Sequence, residues 1–433
     1  MFMHIVIVGG GAGGLELATG LGRRFRRSKN VKVTLIDAKP THVWKPLLHE
    51  VAAGSLNTSE HEVNYVAQAN WNHFAFQLGR LTGIDRGRKN IQLDAVVDDQ
   101  NTILIPARSI RYDQLVVAIG SRTNDFNTPG AAEHCHFLDS TAQAESFHRH
   151  LLNLYLRAHA AAPCARPQKI SVVIVGAGAT GVELAAELRN SAIEFLAYGL
   201  SGIPPEQMSI TVVEAGSRIL PALSERTSRS VHDALSKIDV DVMVNTKVSQ
   251  VSAGGLATHT GALIAADLMV WAAGVRGPEV LQNIGGLECN RSNQLVVRPT
   301  LQTTMDDSIY AIGDCAACSL GENLGNVPPR AQSAHQQASL LVKSFTEQVR
   351  GAPPLAYRHK DHGSLVSLSH FTAVGHLMGS VLRNMNVEGR LARWIYSSLY
   401  RLHQVALFGW TRTALRILSE RLARSTRTRL KLH

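Results

Sequence analysis

The sequence predicts an α/β fold built on two copies of a strand–turn–helix unit. Residues 4–21 read HIVIVGGGAGGLELATGL, and residues 170–188 read ISVVIVGAGATGVELAAEL. Each stretch begins with the β-branched apolar residues of a buried strand, passes through a glycine turn and continues as a helix. A chain of 433 residues also exceeds the length at which a single core stops growing, so we expect two or more domains.

The first glycine turn has the spacing of a dinucleotide-binding loop. In Gly9-x-Gly11-x-x-Gly14 the first glycine permits a tight turn, the second lets a pyrophosphate approach the backbone, and the third lets helix and strand pack closely. The phosphates then meet the positive end of the helix dipole. The next apolar strand, VKVTLID, ends in a carboxylate placed to accept hydrogen bonds from a ribose. The residues predicted to bind this cofactor are Gly9, Gly11, Ala12, Gly13, Gly14, Asp37 and Ala38.

The pattern recurs as Gly176-x-Gly178-x-x-Gly181, and the strand in SITVVEAG then supplies Glu214. The acid lies further from the glycines than the usual ~20 residues, because an extra segment intervenes. Two loops imply two dinucleotides. Glu214 would repel the 2′-phosphate of NADP, which favours NADH at the second site, while Arg218 nearby keeps NADP open.

Three further segments are expected to close these sites. Residues 112–124 and 266–277 each form a short apolar strand that ends in a small residue and glycine, where a side chain would collide with a ligand. A later strand, SIYAIGDCAA, delivers a Gly-Asp pair. These segments add Ala273, Gly274, Gly313 and Asp314 to the predicted cofactor-binding residues.

Cysteines and the N-terminus limit the other possible classes. Five scattered cysteines argue against a disulfide framework. The pair CAAC at 315–318 has no second pair and no neighbouring histidines, so we expect no metal site. The glycine cluster comes too early for a signal peptide, and we therefore expect the chain on the cytosolic side.

Paired loops, paired closing strands and the late Gly-Asp together resemble the two-dinucleotide-binding-domain flavoproteins, the pyridine nucleotide-disulfide oxidoreductase-like superfamily. The resemblance implies FAD on the first loop and a nicotinamide nucleotide on the second, with Asp314 holding the ribityl chain of the flavin. Disulfide reductases need a redox-active cysteine pair beside the flavin, and neither loop helix contains a cysteine. Sulfide:quinone reductases need a cysteine late in the chain, but none follows Cys318.

Several longer stretches resemble one family in particular, the bacterial respiratory type II NADH dehydrogenases, which are single-subunit NADH:quinone oxidoreductases that do not pump protons. They are spread over nearly the whole chain, and the AQ-containing one is the most specific. The stretches are HVWKPLLHEVAAGSLN (42–57), GVELAAEL (181–188), PPRAQSAHQQA (328–338), HGSLVSLSHFTAVGHLMG (362–379) and the closing segment from LYRLHQVALFGWTR onward.

The resemblance assigns roles to specific side chains. It implies that Ala331 and Gln332 contact the flavin ring, and that Gln332 and Gln336 line the pocket of a membrane quinone. Neutral amides suit that pocket because they hydrogen-bond quinone carbonyls without the cost of burying a charge. The resemblance places Lys45 in the loop that closes over the flavin, although an isolated lysine is more often a solvated surface charge. It places Glu183 near the nicotinamide, as a group that orients NADH or relays a proton, and the alternative is that Glu183 only complements its helix dipole. The predicted catalytic residues are Glu183, Gln332 and Gln336.

The C-terminal tail is predicted to attach the protein to a membrane. Residues 383–433 hold eleven Lys and Arg against two Glu, nearly all of the net charge of +10. No run of 18 apolar residues exists, so we expect no transmembrane helix. A basic amphipathic helix suits an anionic membrane surface. An apolar stripe usually packs on its own core, but the positive charge that accompanies this one favours membrane attachment, with a homodimer contact as the main competitor. One apolar helix face comprises Leu407, Trp410, Ala414, Leu415, Ile417, Leu418 and Leu422.

The motifs divide the chain into segments. We expect FAD-binding segments at 1–125 and 291–345, a connecting region at 126–168, an inserted NADH-binding domain at 169–290, and a C-terminal membrane-associating helical region at 346–433. The leading function is NADH:quinone oxidoreductase, peripheral on the cytoplasmic face of the bacterial inner membrane, with a homodimer expected. The alternatives are a flavin reductase of the same fold with a soluble acceptor, a sulfide:quinone reductase-like enzyme, and a nucleic-acid-binding module, which the leucines of the tail disfavour.

Overall fold

A computed structural model describes residues 2–161, 169–322, 324–377, 385–388, 390–423 and 430–431. Up to residue 125 the strands are β1 Met3–Val8, β2 Val31–Asp37, β3 Thr41–His42, β4 Val63–Asn64, β5 Ala75–Leu78, β6 Leu81–Asp85, β7 Asn90–Leu93, β8 Val96–Val97, β9 Ile103–Ile105, β10 Arg108–Arg111, β11 Gln114–Val117 and β12 Arg122–Thr123. The helices of this part are α1 Ala12–Phe25, α2 Leu48–Ala53, α3 Thr58–His61 and α4 Tyr65–Asn72.

The remaining elements follow in chain order. Between residues 126 and 290 the structure has α5 Ala131–His134, α6 Thr141–Ala161, β13 Ile170–Val175, α7 Ala179–Ala197, β14 Met208–Val213, α8 Glu225–Ser236, β15 Val240–Met243, β16 Val248–Ser252, β17 Gly255–Thr258, β18 Leu263–Ala265, β19 Leu268–Trp271 and β20 Val275–Arg276. From there on it has β21 Leu295–Val297, β22 Ile309–Ala311, β23 Ala316–Cys318, α9 Ala331–Gln348, β24 Gly363–Leu368, β25 Thr372–Leu377, β26 Met385–Glu388, α10 Arg390–Phe408 and α11 Trp410–Ala423.

The first unit is a parallel sheet of five strands in the order β22-β11-β1-β2-β5. Ile5, Val6 and Ile7 of β1 are fully buried on both faces, as expected for the centre of a parallel sheet covered by helices. Helix α1 packs against α9 beside this sheet. Because β22 comes from far along the chain and joins β11, the sheet is assembled from two separate parts of the sequence, which confirms the discontinuous first domain.

The second unit is a parallel sheet of four strands in the order β15-β14-β13-β19. The predicted connecting region belongs structurally with this sheet, because His136 exchanges main-chain hydrogen bonds with Met269 and Trp271 of β19. Helix α6 shares the core of the unit through Phe147 and Tyr155, which are fully buried. The exact domain boundaries stay a prediction.

Smaller antiparallel sheets accompany both units, in the orders β10-β7-β6 and β16-β17-β18. A third, β24-β25-β26, occupies the start of the C-terminal region, which was predicted to be helical. That prediction was incomplete, because the sheet lies between the AQ-containing helix α9 and the tail helices. Strand β24 contacts α7 of the second unit.

The C-terminal helix α10 is fastened to the first unit at its end. Arg23 of α1 donates from its guanidinium to the carbonyl oxygens of Ala406 and Leu407, at 3.0 and 2.6 Å. A cation at these carbonyls complements the negative end of the helix dipole. In the part of the chain that the structure describes, no helix has the length and apolar character needed to span a bilayer.

Candidate functional site

The first glycine loop forms an open cradle at the end of β1. Gly9 has φ +103°, which favours glycine, and a Cβ built on Gly14 would lie 1.8 Å from the carbonyl oxygen of Gly9. A Cβ on Gly11 would meet no protein atom within 4 Å. The second glycine therefore faces open space at the N-terminus of α1, where phosphate groups are stabilised by main-chain N–H groups and the helix dipole. Ala12, Gly13 and Gly14 form the first turn of that helix.

Asp37 fastens this loop to the end of β2. Its carboxylate accepts hydrogen bonds from the main-chain N–H groups of Gly10, at 2.6 Å, and Lys39, at 2.8 Å. Burial raises the pKa of Asp37. Tyr65 of α4 donates its hydroxyl to the carbonyl oxygen of Gly10 at 2.8 Å, and a Cβ on Gly10 would overlap that ring. Sequence reasoning missed Tyr65, because no local pattern connects it to the loop.

The second glycine loop repeats this geometry. Gly176 has φ +103°, a Cβ on Gly181 would lie 2.0 Å from the carbonyl oxygen of Gly176, and a Cβ on Gly178 would meet nothing within 4 Å. Glu214 accepts hydrogen bonds from the main chain of Ala177 at 2.8 Å and of Gly216 at 2.7 Å. Both predicted loops thus have the open second glycine that a bound pyrophosphate requires.

Three further residues that the sequence singled out near the second loop, Ala273, Gly274 and Arg218, contact neighbouring segments. The backbone of Ala273 lies against Gly176, and Gly274 lies against Phe126. The two terminal nitrogens of Arg218 donate hydrogen bonds to the carbonyl oxygens of Leu223 and Pro221, at 2.9 Å each. Its guanidinium is therefore engaged by its own loop.

Asp314 is hydrogen-bonded to the segment that follows β11. Ser121 donates its hydroxyl to the Asp314 carboxylate at 2.9 Å, and the Lys45 ammonium donates to the Ser121 carbonyl oxygen at 2.9 Å. Lys45 also pairs with Asp139 at 3.3 Å. Lys45 is therefore part of this site rather than an isolated surface charge.

Helix α9 begins next to this group, and three of its glutamines hold neighbouring segments. Gln332 donates to Asp361 at 3.1 Å, while Gln336 donates to the Lys360 carbonyl oxygen at 2.7 Å and accepts from the Lys360 N–H. Gln337, which sequence reasoning passed over, accepts from the Gly313 N–H at 2.7 Å. The helix start is thus joined on one side to the Gly-Asp pair and on the other to the segment at 357–361.

Glu183 lies in a buried acidic cluster between α2, α7 and β24. It accepts from the Ser367 N–H at 3.1 Å and lies 3.7 Å from His49 Nδ1. Burial lowers the pKa of His49 to about 4, so that ring is neutral. Burial, together with the carboxylates of Glu187 and Glu183, raises the pKa of Glu50 to about 8. These neighbouring carboxylates thus favour retention of a proton by the cluster as a whole, which need not reside on one residue.

Glu16 occupies the same position in α1 that Glu183 has in α7, two residues past the third glycine. Its two carboxylate oxygens bind two histidines from distant elements, His335 Nδ1 of α9 and, at 2.6 Å, His403 Nδ1 of α10. Burial alone would raise the pKa of Glu16, but the two histidine hydrogen bonds outweigh the effect of burial, and the pKa is lowered. The hydrogen bond to Glu16 raises the pKa of His335.

The described cysteines do not form a redox or metal centre. Burial raises the pKa of the Cys315 thiol to about 12 and that of Cys318 to about 11, so neither is a ready thiolate. Within the described ranges, no group of three or more His, Cys, Asp or Glu residues has the geometry of a metal site. Cys164 lies outside those ranges.

The Glu16–His335 pair predicts a pH-dependent stability. Because the pKa of Glu16 is lowered, its ionisation stabilises the fold fully above pH 4.5, its ordinary pKa. Because the pKa of His335 is raised, its protonation stabilises the fold fully below pH 6.5, its ordinary pKa. His335→Gln keeps a donor but removes the ionisation. We expect the free energy of unfolding of the variant to fall by less than about 1 kcal/mol, because solvent screens the half-exposed ring. The loss should be largest between these two pH values and should shrink at alkaline pH.

Urea denaturation midpoints of both proteins, measured across this pH range, check the expectation. A difference between the two midpoints that stays constant with pH would show that charge on His335 contributes nothing.

Comparisons with known proteins agree with this geometry. The family model described as pyridine nucleotide-disulphide oxidoreductase matches residues 3–338. The type II NADH:quinone oxidoreductase of Haemophilus influenzae is 45% identical, over 99% of this chain and 100% of that protein. In fold, the chain is similar to Plasmodium falciparum NDH2 in complex with NADH, with a TM-score of 0.80, 18% identity and coverage of 97% and 98% of the two chains.

The sulfide:quinone oxidoreductase of Aquifex aeolicus shares the fold as well, with a TM-score of 0.73, 18% identity and coverage of 97% and 94%. At such identity the two solved structures speak only for the fold, whereas the Haemophilus relative is close over the full length. The chain therefore belongs to the type II NADH:quinone oxidoreductase family, within the pyridine nucleotide-disulphide oxidoreductases.

Proposed function

We propose that this protein is a membrane-associated flavoenzyme that oxidises NADH and reduces a membrane quinone in the respiratory chain, without pumping protons. The observation that carries the proposal is the short segment from residue 45 to residue 50. Lys45 reaches the group around Asp314 on the first unit, and His49, one turn later, lies against Glu183 on the second. One helical turn thus connects the two proposed dinucleotide sites.

The residues present fit FAD on the first cradle and NADH on the second. Gly11 and Gly178 leave room for the two pyrophosphates, and Asp37 and Glu214 stand at the strand ends where the riboses would lie. Asp314 is placed to hold the ribityl chain. When bound there, FAD supplies the redox chemistry, accepting a hydride from NADH and passing two electrons to quinone.

The chain itself supplies position, charge and protons. The N-terminal amides at Ala331 and Gln332 of α9 would stabilise negative charge on the reduced ring, as a helix N-terminus does. We assign the quinone pocket to the same helix start, with Gln332 and Gln336 as its neutral hydrogen-bonding groups. The acidic cluster supports Glu183 as a proton-handling group, since burial and the neighbouring carboxylates raise the pKa of Glu50 beside it.

Membrane docking is proposed for the tail, at a face of α11 that we call the tail face, formed by Trp410, Ala414, Leu415, Leu418 and Leu422. These side chains are exposed, by 75% for Trp410, 67% for Leu415, 55% for Leu418 and 72% for Leu422. Two residues predicted to share this face do not, because Leu407 is buried and Ile417 is half-buried. An exposed apolar face of this size needs a partner.

Helix α4 contacts α11 beside the tail face. The Arg412 guanidinium carbon lies 5.3 Å from the centre of the Trp71 ring, which places the exposed Trp71 next to α11. Aromatic rings and arginines together suit the interface of an anionic bilayer. We propose docking on the cytoplasmic face of the bacterial inner membrane, where NADH is available. The homodimer stays a prediction.

The two half-reactions are tested with the purified yellow protein under anaerobic conditions. Stoichiometric NADH, but not NADPH, should bleach the flavin absorbance, because Glu214 repels a 2′-phosphate. A short-chain quinone should then restore the absorbance. Bleaching without recovery would contradict the quinone assignment and favour a soluble acceptor.

Two matched glycine variants test the two cradles one at a time. Gly11→Ala should fold but purify with little FAD, because its methyl group fills only the open cradle. Gly178→Ala should keep its flavin and show a KM for NADH raised by about tenfold or more, the effect of about 1.4 kcal/mol of lost binding. Flavin content and steady-state kinetics report both results. Normal flavin content in Gly11→Ala would refute the first cradle.

Membrane docking is tested with Leu418→Asp combined with Leu422→Asp, against the control Leu263→Asp, which alters an exposed leucine of β18. The tail variant should move to the soluble fraction and lose activity with long-tailed quinones, while its reduction of a short-chain quinone is kept. The control should stay with the membrane. A tail variant that still sediments with membranes would rule out this face.

A further inference from the structure

Three buried nitrogen atoms without a hydrogen-bond partner meet at the junction between the first unit and α10. They are His42 Nε2, Trp44 Nε1 and His403 Nε2. The side chains of His42 and His403 are more than nine-tenths buried, and the rings of Trp44 and His403 lie 4.2 Å apart between centroids. Buried polar atoms left without a partner are costly, so three at one place call for a ligand.

The three side chains line one small cavity, together with His61, Tyr400, Leu407 and other residues of the junction. The cavity measures about 10 Å³. This is close to the roughly 10–15 Å³ that one ordered water requires, and far below the space of a quinone ring. The volume of the cavity therefore fits one water molecule and excludes a quinone.

The hydrogen-bonding capacity of the three groups also fits a water molecule. Trp44 Nε1 is a donor only. His403 donates from Nδ1 to Glu16, which leaves its Nε2 to pair with a group in the cavity. Burial lowers the pKa of His42 to about 3, so His42 is neutral, and its Nε2 donates or accepts according to its tautomer. One water can accept from Trp44 and pair with the Nε2 atoms of His403 and His42, the three bonds typical of buried water.

We propose that this cavity binds one ordered water molecule, held by Trp44, His403 and His42, and that the water completes a hydrogen-bonded chain from Trp44 through His403 and Glu16 to His335. The chain joins four separate elements, namely the loop before Lys45, α10, α1 and α9. It fixes helix α10 to α1, to α9 and to the segment that precedes Lys45. This assignment depends on the junction alone and not on the electron acceptor.

The direct test is a crystal structure of the flavin-loaded protein. It should contain one ordered water within hydrogen-bonding distance of all three nitrogens. Rings that contact each other directly, an empty cavity or a larger molecule at this place would each overturn the proposal.

A second test uses Trp44→Phe, which keeps an aromatic ring and removes only the N–H group. Amide hydrogen exchange in residues 400–408 should become faster, because α10 loses part of its attachment. Trp71→Phe is the matched control, since Trp71 also touches a C-terminal helix through Arg412 but has no buried, unpartnered N–H among the described atoms. Equal exchange in wild type and Trp44→Phe, with the water absent from the crystal, would refute the chain.

Discussion

The close backbone contact between the first and third glycines of each loop governs the architecture. A Cβ at Gly14 or Gly181 would press on the carbonyl oxygen of Gly9 or Gly176. Only without it can α1 and α7 start directly at the strand ends, with their N-termini at the open space beside Gly11 and Gly178, where phosphates would bind. The positions of Asp37, Glu214 and the helices that cover each sheet follow from this contact, so the two cofactor sites are set by main-chain geometry before any side chain acts.

The fold and the two cradles were predictable because their signals are local. A buried strand, a glycine spacing and the next acidic residue all lie within one continuous stretch, as in the run from Gly9 to Asp37. Gln332 and Gln336 were identified through family resemblance, and the geometry shows each holding a neighbouring loop, a role that spacing alone does not indicate. The sheet β24-β25-β26 was not predicted, because the strongest pattern in the C-terminal region is the basic amphipathic stripe of its helices.

Partners that are far apart in sequence were not predictable from patterns. Tyr65 reaches Gly10 from α4, Gln337 reaches Gly313, and His403 reaches Glu16 across 387 residues. Each of these contacts is set by how helices pack on a sheet, and a single sequence carries no periodic signal for it. The cluster around Glu50 is of the same kind, since its raised pKa arises from carboxylates on α7. Chemistry that depends on several elements appears only once they are assembled.

The duplicated glutamate gives the C-terminal region a consistent mechanical role. Glu16 and Glu183 stand at equivalent positions in α1 and α7, and each binds an element of that region: Glu16 binds His403 of α10, and Glu183 binds the Ser367 N–H of β24. Both acids sit one turn behind a phosphate-binding helix start. The C-terminal region is thereby attached directly behind both dinucleotide sites. A displacement of α10 would therefore act on α1 through Glu16, and a displacement of β24 would act on α7 through Glu183.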